Sequence, residues 1–221
     1  METPPPPPHP YWPRSLVLPG YVPADWPGWQ CAGAVAAAGA GLMALGWALG
    51  GTKGRGGASR SSVRRLALGW FLLCAGIHGV LEGYFSLQHR GLPAATGLLA
   101  DIFSGCMWGH SQHPSRSDGF TVAMESVTAW VWGPLSLVTV LAFLRQHPSR
   151  YILQLLVSLG QLYGDVLYFM TAAQDGWVHS DPRPLYFWGY FVAINGIWLL
   201  VPMALLLDAG CQLAKAQRLL D

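Results

Sequence analysis

Charged residues are scarce in this sequence. Only 11% of its 221 residues are Asp, Glu, Lys or Arg, whereas 52% are hydrophobic. A soluble domain carries about 25% charged residues, so this chain has too few charges to cover a water-exposed surface. Its net charge is only +2, and no basic stripe alternates with aromatic residues as in a nucleic-acid groove. The composition excludes nucleic acid as a partner and indicates a protein covered by membrane lipid.

Cysteine is also rare, and its spacing argues against two kinds of site. The four cysteines lie far apart, with no Cys-x-x-Cys pair: Cys31, Cys74, Cys106 and Cys211. We therefore expect neither a disulfide framework nor a metal cluster. His110 and His113 form a lone HSQH pair, where we do not expect a metal to bind. The sequence predicts no metal and no cofactor.

Five apolar stretches dominate the chain. Each is long enough to cross a hydrocarbon core of about 30 Å, which takes about 20 helical residues. They cover residues 29–49, 66–87, 120–144, 151–171 and 186–207. None has Lys or Arg in its interior. We predict an all-α fold, a polytopic membrane bundle of about five transmembrane helices.

Lysine and arginine are unevenly divided between the connecting segments. Nine of the 13 lie after the first and third stretches and in the tail, and four lie on the other side. The positive-inside rule places the side with nine in the cytosol. We therefore predict an extended lumenal segment over 1–28, the five-helix membrane domain over 29–208 and a cytosolic tail over 209–221. The proline-rich start lacks the apolar core of a cleaved signal peptide.

Two of the three glutamates of the chain lie inside apolar stretches, at Glu82 and Glu125. A carboxylate in a membrane costs several kcal/mol unless it has a partner, so such groups indicate function. His78 precedes Glu82 by four residues, and this spacing puts both side chains on one helical face. His78 is also the only basic side chain within the stretches that could pair with these carboxylates. Such a set can hold and transfer a proton.

Other polar or aromatic residues share this pattern. Thr128 lies three residues after Glu125, and Asn195 and Trp198 repeat that spacing. Asp165 lies in the middle of the fourth stretch. A single polar residue in a membrane helix also serves as interhelical glue, worth about 0.6 kcal/mol on average. For Asp165 and for Thr128 alone both interpretations remain open, and Trp198 fits a packed core equally well.

At these residues the sequence resembles the emopamil-binding-protein family of EXPERA-domain membrane proteins, which are sterol delta-8/delta-7 isomerases. The resemblance extends over nearly the whole chain. It is carried by HPYWPRSLVLPGYVP, CAGIHGVLEGYF, FTVAMESVTAWVWGPLSL, AFLRQHPSRYILQLLVSLGQLYGDVLYF and PLYFWGYFVAINGIWLLVP. Matched residue by residue, the functional set of the family falls on His78, Glu82, Glu125, Thr128, Asn195 and Trp198.

The resemblance implies a cofactor-free isomerase of the cholestenol type in the endoplasmic reticulum membrane and, by continuity, the nuclear envelope. It implies a sterol substrate like zymosterol or 8-cholestenol, binding of cationic amphiphilic drugs, contact with lipid and a homodimer. The expected reaction protonates the alkene at carbon 9, leaves a cation at carbon 8 and removes a proton from carbon 7. Trp198 would offer a π face to the cation, while Thr128 and Asn195 would orient the carboxyl groups.

Two rival functions remain at this point. The stretch IFSGCMWGHSQHPSRSDGF departs from the corresponding family segment, which favours a non-catalytic protein of the same fold that binds sterols or cationic drugs. The proton-handling residues favour the enzyme. A small transporter is the weaker rival, because the sequence has neither inverted repeats nor broken helices.

Overall fold

The computed structural model describes residues 9, 11–15, 17–18, 20–51, 61–107 and 119–220. Within that part of the chain, all regular structure is helical, which confirms the all-α prediction. Five helices are long and apolar enough to cross a membrane: α1 (Gly28–Gly51), α2 (Ser62–Gln88), α4 (Gly119–Leu144), α5 (Arg150–Gln174) and α6 (Leu185–Gln217). A shorter helix, α3 (Leu98–Met107), lies between α2 and α4. Most of the proline run, the HSQH pair and most of the linker after α1 lie outside the described residues.

The predicted stretches correspond to these five helices, and large apolar side chains point outward from them. Leu200 is 75% exposed and Ile152 is 49% exposed, as is typical of surfaces that face lipid. The protein is a multi-pass membrane protein. α6 continues to Gln217, beyond the predicted end at Leu207, because the following residues include strong helix formers such as Ala, Leu, Gln and Lys.

Close packing between α1 and α2 depends on glycine. A Cβ atom on Gly46 would lie 2.4 Å from the backbone of Gly69, so only glycine permits this helix crossing. Small residues allow such backbone approach in membrane helix pairs. Each of the other long helices packs against the next long helix along the chain: α2 against α4, α4 against α5, and α5 against α6.

A hydrophobic core fills one half of the bundle. Its buried residues come from α2, α4, α5 and α6 and include Phe71, Val140, Val157 and Leu205. Because consecutive helices run in opposite directions, these positions lie at the same end of the bundle. The residues predicted from the sequence to form the site, such as His78, Glu125 and Asn195, lie in the other half.

An ion pair closes the end of the bundle next to this core. Arg64 on α2 pairs with Asp208 on α6, with Nη2 2.8 Å from Oδ1. Gln154 on α5 donates through Nε2 to Asp208 Oδ2 and to the Leu205 carbonyl, both at 2.8 Å. Three helices are thus joined by charge-assisted hydrogen bonds.

The N-terminal segment folds back onto the opposite end of the bundle. Tyr11 and Leu18 are buried, and the backbone N–H of Val22 donates to the carbonyl of Pro93 at 2.9 Å. The backbone N–H of Trp26 donates to a carboxylate oxygen of Asp101 on α3 at 3.3 Å. The predicted extended segment therefore has no helix before Gly28 in its described part, yet it packs against the domain.

Asp181, in the loop between α5 and α6, is expected to stabilise the fold through its charge. It is 1% exposed and accepts bonds from Arg183 Nε at 3.0 Å and Nη2 at 2.5 Å. These hydrogen bonds lower the pKa of Asp181 from its ordinary value of 3.8. A lowered pKa contributes stability above the unfolded value, and this contribution is lost as the pH falls through the folded pKa.

Asp181→Asn is therefore expected to lower Tm by about 2–4 °C at pH 7, a difference that shrinks as the carboxyl of the unmodified protein protonates below about pH 4. Thermal unfolding of the purified protein measures both values. Asp175→Asn, at an exposed position in the same loop, should leave Tm unchanged. An equal loss at both positions, or no dependence on pH, would contradict a charge effect.

Candidate active site

Three π-helical segments in the membrane helices contain or lie close to the predicted site residues. They are Ile77–Glu82 in α2, Thr128–Trp132 in α4 and Leu185–Ile194 in α6. Segments of this kind are rare and frequently mark functional sites. In α4, Pro134 follows the π segment, and its missing N–H and its ring disturb the preceding turn. The helix widens locally where side chains must point into the bundle.

A cavity of about 660 Å³ lies between these segments. This volume is within the range of about 300–1,000 Å³ that small-molecule sites occupy. Apolar side chains such as Ile77, Leu81, Phe103 and Leu167 supply most of its wall. All six residues predicted from the sequence line it: His78, Glu82, Glu125, Thr128, Asn195 and Trp198. The structure therefore brings together residues from α2, α4 and α6, and those of α2 and α6 are more than 100 positions apart in the sequence.

His78 and Glu82 form a direct pair, as their spacing predicts. His78 Nδ1 lies 2.8 Å from Glu82 Oε1. The His78 side chain is 1% exposed and that of Glu82 is 18% exposed. The second Glu82 oxygen, Oε2, is buried and has no hydrogen-bond partner among the described residues. One carboxylate oxygen is thus held by the imidazole, and the other is available at the cavity.

Gln161 on α5 is a member of this group that the sequence analysis missed. Its Nε2 lies 3.0 Å from His78 Nε2, and it is 5% exposed. An amide N–H that donates to Nε2 requires the His78 proton to be on Nδ1, where it donates to Glu82. The only sequence signal was a polar residue one turn before Asp165 in an apolar stretch. The three side chains form a hydrogen-bonded chain across two helices.

Glu125 lies within electrostatic reach of both His78 and Glu82. Two carboxyl groups and one imidazole therefore share one region of the cavity. The arrangement can hold a proton on one side of a ligand and accept one on another.

Thr128 and Asn195 are anchored to their own helices. The hydroxyl of Thr128 donates to the Met124 carbonyl at 2.8 Å, and Nδ2 of Asn195 donates to the Phe191 carbonyl at 2.7 Å. A threonine hydroxyl keeps acceptor lone pairs after donating, and the Asn195 amide keeps its oxygen and one N–H. Both side chains thus retain hydrogen-bonding capacity at the cavity wall.

Trp198 is held by a second tryptophan. Its ring packs on Trp70 with centroids 5.4 Å apart and planes tilted by 54°, a geometry typical of favourable aromatic pairs. Trp70 belongs to the buried core, and Trp198 packs at its edge. One face of the site is therefore an aromatic ring whose position is fixed by the core.

Two glycines allow the helices to meet behind the site. A Cβ on Gly133 would lie 3.2 Å from His78 Cβ, and a Cβ on Gly160 would lie 2.4 Å from the Trp132 ring. Any side chain at Gly160 would have to displace the Trp132 ring or force α4 and α5 apart. These approaches hold Gln161 next to His78.

Known proteins match this chain over nearly its whole length. The model of the EXPERA family (expanded EBP superfamily) matches residues 106–209. A protein of Rattus norvegicus named 3-beta-hydroxysteroid-Delta(8),Delta(7)-isomerase is 47% identical over 220 residues, which cover 96% of this chain and 92% of the relative. Isomerases of the same name from Mus musculus and Cavia porcellus are 46% and 41% identical over the same shares. The chain belongs to the EXPERA family. The family that the sequence resembles is thereby confirmed.

Part of the segment that departs from the EXPERA family pattern lies outside the described residues. Residues 108–118 of the segment that departs from the family pattern are among them. The described start of that segment forms the end of α3, and Ile102 and Phe103 line the cavity. In the described part of the chain, no group of three or more His, Cys, Asp or Glu side chains could hold a metal ion.

Proposed function

We propose that this chain is a sterol delta-8 to delta-7 isomerase, of the cholestenol delta-isomerase type. The observation that carries the proposal is the hydrogen-bonded chain of Glu82, His78 and Gln161 inside an apolar cavity that Glu125 also lines. The names of the relatives support the same reaction. The substrate is a sterol of the zymosterol or 8-cholestenol type.

The reaction moves a double bond by adding one proton and removing another. Protonation at carbon 9 forms a C–H bond from the electron pair of the alkene and leaves a tertiary cation at carbon 8. Loss of a proton from carbon 7 returns an electron pair, which forms the double bond between carbons 7 and 8. Protons balance, and no oxidant or reductant is required.

The site residues have the chemistry that these steps need. Glu125 and the pair of His78 and Glu82 transfer the protons and balance the charge. The apolar wall excludes water, which would otherwise trap the cation. Trp198 stabilises the cation with its π face, and Thr128 and Asn195 orient the reacting groups by hydrogen bonds.

The proposal includes a location and partners. We place the enzyme in the membrane of the endoplasmic reticulum and its continuation in the nuclear envelope, in contact with lipid and as a homodimer. α1 supports a helix-mediated dimer, because Gly33 and Gly41 have open space around them and small residues permit close contact between membrane helices.

The decisive test is expression of the full chain in cells that lack the isomerase, with delta-8 and delta-7 sterols measured by mass spectrometry. Restored delta-7 sterols are expected. A protein with His78→Ala serves as the inactive control. Accumulation of delta-8 sterols despite normal expression would reject the enzyme.

A non-catalytic binding protein is the second candidate, favoured by the divergent residues 102–120. Such a protein would bind sterols and cationic amphiphilic drugs but leave delta-8 sterols unchanged in the same cells. The two candidates therefore give opposite results in one experiment.

Trp198 is expected to distinguish cationic ligands from neutral ones. A protonated amine on a hydrophobic body imitates the transient cation, and a desolvated cation–π contact is worth about 2 kcal/mol. Trp198→Leu should therefore weaken amine binding by about tenfold or more, and weaken a neutral carbon analogue far less. Competition binding on purified protein measures both. Equal losses of affinity for the amine and its neutral analogue would mean that Trp198 contributes only packing.

Gln161 lines the cavity, and its amide is expected to act on the reaction by positioning His78. Gln161→Leu removes the amide that fixes the His78 tautomer, so kcat should fall about tenfold with little change in KM. The pH profile of kcat should shift as well, because the imidazole loses a partner. Turnover of purified protein over a pH range provides these values. An unchanged profile with a lower amount of folded protein would indicate a structural role only.

A further inference from the structure

Asp165 is a cavity residue that the proposed reaction does not use. It lies on α5 and lines the cavity. Its Oδ2 atom is buried and has no hydrogen-bond partner among the described residues. Buried polar groups are nearly always hydrogen-bonded, so each exception requires an explanation.

No described residue supplies a cation that would explain this unpaired carboxyl oxygen. No Lys or Arg is among the described residues that line the cavity, and His78 is engaged by Glu82 and Gln161. A carboxyl group inside a membrane helix without a partner is expensive. The missing hydrogen-bond donor is therefore expected to come from the ligand.

The position of Asp165 relates it to the reacting groups. Gln161, which contacts His78, lies one turn earlier on α5, and four helical residues span about 6 Å along the axis. Farther along α5, Tyr168 packs against Phe191 of α6, with ring centroids 5.7 Å apart. Asp165 thus lies between the His78 group and an aromatic cluster.

We propose that Asp165 accepts a hydrogen bond from the ring hydroxyl of the sterol and so sets the position of the ring system in the cavity. This inference rests on the proposed function, since the relatives are named as isomerases of 3-beta-hydroxysteroids. In such a sterol the hydroxyl on carbon 3 and the double bond at carbon 8 belong to one rigid set of fused rings. Holding the hydroxyl one helical turn from Gln161 fixes which carbons face His78 and Glu125.

A consequence is selectivity for sterols that carry a free hydroxyl. A group built to hydrogen-bond a ligand hydroxyl discriminates strongly against an analogue that lacks it, because the buried acceptor is then left unpaired. The rest of the wall is mostly apolar and provides little discrimination at that end of the ligand. Asp165 is accordingly a specificity-determining residue rather than a catalytic one.

The test is equilibrium binding to the purified full chain in detergent, with an 8-ene sterol that has the 3-hydroxyl and its 3-deoxy analogue. The unmodified protein should bind the hydroxysterol about tenfold or more tightly than the deoxy analogue. Asp165→Leu should remove this preference by weakening the hydroxysterol alone. Asp165→Asn, which keeps an acceptor oxygen, should retain part of it.

Ser158→Ala is the matched control. Ser158 lies on the same helix, and its hydroxyl is also buried without a partner among the described residues, but it does not line the cavity. Its removal should leave the preference intact. Equal losses for both ligands in Asp165→Leu, or no loss for either, would overturn the proposed role.

Binding separates this inference from the proposed function, because it does not require turnover. Tight binding of both sterols with no preference for the hydroxyl would reject the role of Asp165 and leave the isomerase proposal standing. Failure of the unmodified protein to bind any sterol would reject both.

Discussion

Alanine at either His78 or Glu82 is expected to abolish isomerisation, and the double substitution should be no worse than the single ones. The two side chains are in contact at 2.8 Å, so the loss of either one removes the hydrogen bond that orients the other. Loss of a general acid or base lowers rates by about 10²–10⁴. Residues that act as one unit show strongly non-additive losses.

Turnover of a delta-8 sterol by purified variants, with folding checked by size exclusion, measures this coupling. His89→Ala is a suitable control, because His89 lies at the end of the same helix and contacts the Ser86 carbonyl rather than the cavity. It should retain full activity. If the losses of activity of the two single variants simply multiply in the double variant, His78 and Glu82 act independently.

Glu125→Gln is expected to lower kcat by about 100-fold or more. Glutamine keeps the shape and most of the hydrogen-bonding capacity of the side chain but cannot gain or lose a proton in the reaction.

The neighbouring Ser126→Ala provides the comparison for Glu125. Ser126 donates to the Val122 carbonyl at 2.6 Å and does not line the cavity, so its removal should leave turnover unchanged. Single-turnover rates with saturating sterol distinguish chemistry from binding. Full activity of a well-folded Glu125→Gln protein would remove Glu125 from the proton-transfer set.

The sequence was informative where local rules apply. Length and apolarity alone are enough to place the membrane helices, because the bilayer imposes both. The pairing of His78 with Glu82 followed from a spacing of four residues. The π turn at these residues did not disturb that contact.

Contacts between distant parts of the chain could not be predicted in this way. Gln161 meets His78 across 83 positions, and Arg64 meets Asp208 across 144. Their partners depend on which helix faces come together, and this is decided by close approaches such as the one at Gly160. The short helix α3 was also missed, because ten residues are too few for a membrane span.

The uneven filling of the bundle has a consequence for its motions. The half that contains Phe71, Val140 and the Arg64–Asp208 pair has a continuous core and is joined across three helices, whereas the half with the π segments encloses a cavity of about 660 Å³. Regions of low local packing open at lower free energy than the global unfolding transition. Amide hydrogen exchange should accordingly be fastest around the π turns, so that a rigid ring system can enter between the helices while the tightly packed half stays folded.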